Sequence, residues 1–175
     1  MRHFTCLSVL TALIVSPASA HITLERQEAA VGASYKAVFR VGHGCGTSPT
    51  LKVRVRIPDG VINVKPMPKP GWQVETVKGK YDKSYTMFHS VTVTEGVKEI
   101  AWTGRLPDEN YDELVLSVYL TDDLVPGKTL YFPVVQECES GVHRWIDIPK
   151  GHQDSDGHGD GAAEPAPGLR LLPKR

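Results

Sequence analysis

The chain has 175 residues, 41% of them hydrophobic, 23% charged and 7% aromatic, and its 20 basic and 20 acidic side chains cancel to a formal net charge of zero. That apolar share is enough for one buried core, and the length suits one domain or at most two. The balanced charge argues against the basic face of a nucleic-acid binder and against the acidic excess of a solvating, disordered chain; 13 prolines and 16 glycines without long helix-forming runs point to a turn-rich β protein.

Residues 1–20 read as an export signal. Arg2 supplies the positive start, Leu7 to Val15 is a short apolar run, and Ala18-Ser19-Ala20 is a small-x-small cleavage site. The run is too short to span a bilayer. Cleavage after Ala20 makes His21 the first residue of the mature chain. With no other long apolar stretch, the product is expected in the periplasm or outside the cell, with no membrane span.

Strands are expected at 22–25, 34–41, 51–58, 61–65, 71–77, 85–94, 97–103, 113–121, 129–136 and 143–148. The alternation is clearest at 51–58, where Leu51, Val53, Val55 and Ile57 face one way and Lys52, Arg54 and Arg56 the other, up to the stop at Pro58-Asp59-Gly60. Tyr35, Ala37, Phe39 and Val41 form a second such face. Gly79 and Gly96 read as turns, and Pro133 inside a strand as an edge position. Neither an internal repeat nor an amphipathic helix of ten residues is present. Many short strands at close spacing give an all-β fold, an immunoglobulin-like or Greek-key β-sandwich. The sandwich is expected over 21–149. Residues 150–175, rich in Gly, His, Asp and Pro, read as a flexible tail.

Of three cysteines, Cys6 lies in the leader, which leaves Cys45 and Cys138. Two cysteines in an exported domain favour one disulfide. Across 93 positions the chain-entropy model gives about 4 to 5 kcal/mol. The alternative, a site holding a soft metal through both thiolates, ranks lower because neither cysteine has a CxxC partner.

The chain carries no P-loop, no GxGxxG after a strand, no GxSxG elbow and no HExxH. The chemically distinctive residue is His21. A histidine at a free amino terminus offers its α-amine and its imidazole Nδ1 to one metal in a six-membered chelate. Both nitrogens lose protons readily near neutrality when a metal competes. Such a pair favours Cu(II) among divalent ions. The competing reading is a chance histidine at a permissive cleavage site, and a tight site needs at least one further ligand.

Five stretches carry a family resemblance: HITLE at 21–25, SYKAVFRVGHGCGTSPT at 34–50, VRIPDGVINVKPMPKPGW at 55–72, IAWTGRLPDENYDEL at 100–114 and FPVVQECESGVHRWIDIP at 132–149. Together they resemble the bacterial YcnI-like family, the domain-of-unknown-function 1775 family. The resemblance implies an exported β-sandwich that binds Cu(II) through a monohistidine brace. In that brace the mature N-terminal histidine gives amine and imidazole, a glutamate gives a carboxylate, and a tryptophan sits beside the metal. Carried onto this chain, the histidine is His21. The glutamate is Glu113, which opens a strand and points away from the apolar row Leu114, Leu116, Val118 and Leu120; without the resemblance it would read as an ordinary solvent-facing glutamate. The tryptophan is Trp145, with Trp102 and Trp72 as competitors read as packing residues. Indole nitrogen is a donor, so Trp145 is expected to shield the metal rather than ligate it. Some relatives end in a transmembrane helix; this chain ends in a His/Asp-rich stretch instead.

The other histidines carry less weight. His43, beside Cys45, reads as a turn or hydrogen-bonding residue, His89 as partly buried, and His143 as a weak candidate near the metal. His152 and His158, among Asp154, Asp156 and Asp160, form a weak metal-binding tail or a solvated linker. The leading function is a non-enzymatic protein that captures, buffers or hands on Cu(II) to another copper-handling protein of the export compartment. The alternative is a copper oxidase or monooxygenase-like enzyme built on the same brace, although brace enzymes acting on polysaccharides use a second histidine in place of the glutamate. A carbohydrate-binding or adhesion module would need a planar aromatic strip, which the alternating aromatics do not make.

Overall fold

The computed structural model describes residues 21–87, 90–149 and 164–174. Twelve strands are found there: β1 (Thr23–Leu24), β2 (Glu28–Ala30), β3 (Ala33–Val41), β4 (Thr50–Arg56), β5 (Val61–Pro66), β6 (Gln73–Thr86), β7 (Thr92–Leu106), β8 (Asp112–Leu120), β9 (Thr129–Tyr131), β10 (Val134–Cys138), β11 (Val142–Trp145) and β12 (Gly168–Leu172). They form a four-stranded sheet, β1-β3-β8-β5, a five-stranded sheet, β11-β10-β4-β7-β6, and a small three-stranded sheet, β2-β12-β9. All pairings are antiparallel except that of β12 with β2. No helix occurs among the described residues, in keeping with the expected all-β sandwich.

The period-2 patterning explains how the layers close. Tyr35, Ala37, Phe39 and Val41 of β3 and Leu114, Leu116, Val118 and Leu120 of β8 turn inward together. They meet Val53 and Val55 of β4 and Ile100 and Trp102 of β7 in one core. Phe39 and Phe132 meet edge to face inside it, 5.6 Å between ring centres. One member of the expected β4 face departs. The pairing of β4 with β7 slips between Thr50 and Lys52, so Leu51 is only half-buried while Thr50 is fully buried. A bulge of this kind re-aims the side chains on one side of it.

Three sequence readings are corrected. Gly79 and Gly96 are not turns. They pair with each other within the long β6–β7 ribbon, where the Tyr81 ring lies over Gly96 so closely that a Cβ there would sit 1.8 Å from the Tyr81 hydroxyl. Glycine inside a strand here marks close approach of a side chain. Pro133 is not on an edge. It falls between β9 and β10, where the chain leaves the small sheet for the interior of the five-stranded one; a residue without an N–H suits that break in pairing.

The third correction concerns the end of the chain. The sandwich does not stop at 149. Gly168–Leu172 is β12, parallel to β2 and antiparallel to β9, and Leu169 and Leu171 are buried in the main core at 0% and 2% exposure. Leu169 and Leu171 carry the strand period, but the polar run before them outweighs it in composition. The Arg170 N–H donates to the Gln27 carbonyl at 2.8 Å, and the Phe132 N–H to the Pro167 carbonyl at 2.9 Å. The remainder of the expected tail, 150–163 with His152 and His158, lies outside the described residues, as do residues 1–20 and His89.

Truncating a fully buried leucine typically costs about 2 to 5 kcal/mol. Leu169→Ala is therefore expected to lower the denaturant midpoint by an amount in that range, whereas a tail that packs nowhere would leave the midpoint unchanged.

Candidate metal centre

His21 stands one residue ahead of the apolar pair that pins the start of the chain. Ile22 and Leu24 are both 2% exposed, and β1 is held to β3 with Thr23 opposite Arg40 and Leu24 opposite Phe39. This anchoring leaves the His21 ring half-buried at the sheet edge. There it meets the indole of Trp145 edge to face, 5.1 Å between ring centres. His21 also lines an open cleft of about 390 Å³, together with Thr23, Gln27, Tyr131, Ala166 and Arg170 among others.

Trp145 comes from the opposite sheet, at the end of its outermost strand, β11. It is buried, and its Nε1–H donates to Gln136 Oε1 at 3.1 Å. Gln136, on β10 and 1% exposed, turns its amide nitrogen to the His43 carbonyl at 2.7 Å and to Thr50 Oγ1 at 2.8 Å. One buried amide thus joins the Trp145 ring, β4 and the loop that carries His43.

That loop is fixed from two more sides. Cys45 and Cys138 form a disulfide, Cα to Cα 6.0 Å, so the metal-thiolate alternative falls. The Gly44 N–H donates to Asp108 Oδ1 at 2.8 Å. A Cβ at Gly44 would lie 1.9 Å from the Ser48 carbonyl oxygen, so only glycine lets the two backbones pass. His143 sits on β11 opposite Gln136 and stacks on the Trp145 ring, 4.9 Å between centres and 29° between planes. The His43 ring stands 6.1 Å from the His143 ring, nearly perpendicular to it.

Glu113 keeps different company. It is the second residue of β8, opposite Arg40, and Thr23, Arg40 and Glu113 form one row across three strands, so Thr23 and Glu113 are roughly 10 Å apart by strand spacing. His21 lies two residues before Thr23, ahead of β1. The Tyr111 hydroxyl donates to Glu113 Oε1, and Arg40 Nε donates to the same hydroxyl at 3.1 Å with its guanidinium over the Tyr111 ring. The Tyr111 phenol is held above its ordinary range, first by desolvation and then by its bond to Glu113, with Arg40 pulling the other way. Arg40 is raised in turn, chiefly by its bond to Tyr111.

The structure therefore brings His21 and Trp145 together and places Glu113 on the neighbouring row, tied to Tyr111. The competitors Trp102 and Trp72 serve packing. Trp102 is fully buried in the core, and Trp72 covers Gly104, where a Cβ would come within 2.4 Å of the indole. Among the described residues no three His, Cys, Asp or Glu groups converge as a closed metal cage would require. An N-terminal histidine that supplies two nitrogens by itself does not require such a cage, and its donor set suits an open site. The stacking of His143 on Trp145 with His43 beside it has no counterpart in the sequence patterns. His143 shares the parity of Trp145, but nothing local placed His43 there.

The described chain is an open, all-β sandwich with a half-buried histidine at the edge where its two larger sheets meet. The model of the family described as Domain of unknown function (DUF1775) matches residues 21–171, and the chain belongs to that family. The match reaches into β12, in line with the corrected domain boundary. A solved structure similar to it is the crystal structure of an uncharacterized protein from Nocardia farcinica with an immunoglobulin-like fold. The TM-score is 0.60 at 23% identity, over 87% of this chain and 98% of that one, a likeness of fold. A search of curated proteins finds no match.

Burying an unpaired donor or acceptor costs about 1 to 3 kcal/mol each. Gln136→Leu leaves the Trp145 N–H without its acceptor and the His43 carbonyl without its donor, so a loss of roughly 2 to 4 kcal/mol is expected in chemical unfolding. A neutral outcome would mean that the amide does not organise the site.

Proposed function

We propose that this is an exported, non-catalytic copper-binding protein of the periplasm or extracellular space. It captures Cu(II) as cargo at its mature amino terminus and passes it to another copper-handling protein. Cleavage after Ala20 frees the His21 α-amine, and amine and imidazole Nδ1 form the chelate. Glu113 contributes a carboxylate, exchanging its hydrogen bond from Tyr111 for the ion. Trp145 packs against the imidazole and limits access of water and reductant. A two-residue site leaves coordination positions open, through which a recipient can replace ligands one at a time.

The observation that carries this reading is the His21–Trp145 contact. Ile22 and Leu24 anchor the backbone, the buried Gln136 fixes the indole, and the imidazole is held between them with the open cleft beside it. A histidine left by chance at a cleavage site has no need of such a seat.

The test uses protein whose first residue is His21. Titration with Cu(II) is expected to give one tight equivalent, nitrogen hyperfine structure in electron paramagnetic resonance, and tryptophan quenching. His21→Ala, or one extra residue placed before His21, should abolish that equivalent, and Glu113→Gln should weaken it about tenfold. Binding that persists unchanged in both terminal variants would overturn the reading and turn attention to His152 and His158. Reductant-driven peroxide formation well above that of free copper would contradict the non-catalytic assignment.

A further inference from the structure

His43 and His143 come from opposite ends of the domain sequence, and the disulfide-held loop and β11 bring their rings to 6.1 Å, nearly perpendicular to each other. The partners of their Nδ1 atoms settle which ring nitrogen carries hydrogen. The Nδ1 of His43 is bonded to the Gly44 carbonyl oxygen. The Nδ1 of His143 is bonded to Glu164 Oε1 at 2.5 Å. Both oxygens are acceptors, so both Nδ1 atoms are the donors, and each neutral ring then carries its lone pair on Nε2. Selection of the metal-binding tautomer by a carbonyl or carboxylate behind the ring is the usual arrangement around metal-ligating histidines.

Glu164 is itself held in place. Its second oxygen accepts from the Arg144 N–H at 2.5 Å, and its own N–H donates to Asp147 Oδ2 at 2.9 Å. The returning C-terminal segment therefore delivers a carboxylate to the back of His143.

The spacing matches as well. With metal–nitrogen bonds near 2 Å, two imidazoles on one ion place their ring centres about 4.5 Å apart at a right angle and about 6.4 Å apart in line. The observed 6.1 Å lies toward the linear end of that range. Zn(II) asks for four ligands, whereas the filled d shell of Cu(I) accepts two nitrogens in line.

We infer that His43 and His143 form a second metal site that takes Cu(I), with Glu164 as its positioning residue. It adjoins the proposed Cu(II) site through Trp145 but shares no ligand with it, so the two can fail separately.

The experiment is an anaerobic Cu(I) titration of the mature protein against a chromophoric chelator, with Zn(II) in a parallel arm. Wild type and His21→Ala are both expected to bind Cu(I), and the His43→Ala/His143→Ala double variant to lose at least tenfold in affinity. Glu164→Gln should weaken binding about tenfold and shift the His143 ring nitrogen resonances away from the single Nδ1–H tautomer, which a merely structural role would not do. In wild type, Cu(I) should move the His43 and His143 ring resonances, a readout that does not depend on the variants folding. Unmoved rings, full binding by the double variant, or a preference for Zn(II) over Cu(I) at these residues would overturn the inference.

Discussion

The candidate centre depends on the buried side-chain amide of Gln136. A primary amide in a core is costly unless its groups are paired, and here both ends have partners: the Trp145 N–H on one, the His43 carbonyl and Thr50 hydroxyl on the other. The bulge in β4 that buries Thr50 is part of the same arrangement. These bonds set where the indole lies, and the indole sets where His21 and His143 rest. The disulfide acts in parallel by holding the far side of the His43 loop, so two independent ties fix one small region at the open end of the sandwich.

Position in the fold gives these ties their functional meaning. Sandwich ends and sheet edges are where chain termini and loops gather while the layers between them stay rigid. β1 is an edge strand of one sheet and β11 an edge strand of the other, and the two rings that meet across the gap come from the residue two before β1 and from the last residue of β11. A ligand group at such an edge stays open to solvent and to a partner, yet its backbone is anchored by core residues. That combination suits capture and hand-over of an ion better than enclosure of one.

Much of this was written locally in the chain. The alternation in β3, β4 and β8 named the core residues, the cysteine count paired Cys45 with Cys138, and the expected cleavage after Ala20 singled out His21. Three things were not local. The strand at 168–172 follows a polar, Gly- and Asp-rich stretch, and only a tertiary partner, the gap between β2 and β9, gives its two leucines a place to go. Gly79 and Gly96 look like breakers until Tyr81 is seen to lie across the ribbon. The chain of ring contacts that runs from His21 through Trp145 and His143 to His43 joins three segments far apart in sequence, and no spacing rule reports it. Glu113 turns away from the core row as the alternation of β8 requires, but its bond to Tyr111 depends on a side chain two residues before it, which no periodicity reports.

The central claim is chemical: the imidazole at position 21 must share its residue with a free amine. Intact mass of the protein recovered from the export compartment tests this directly. A mass corresponding to a chain that starts at His21 agrees with the claim; a chain that starts before or after that residue contradicts it, because the second nitrogen of the chelate would then be a peptide nitrogen or absent.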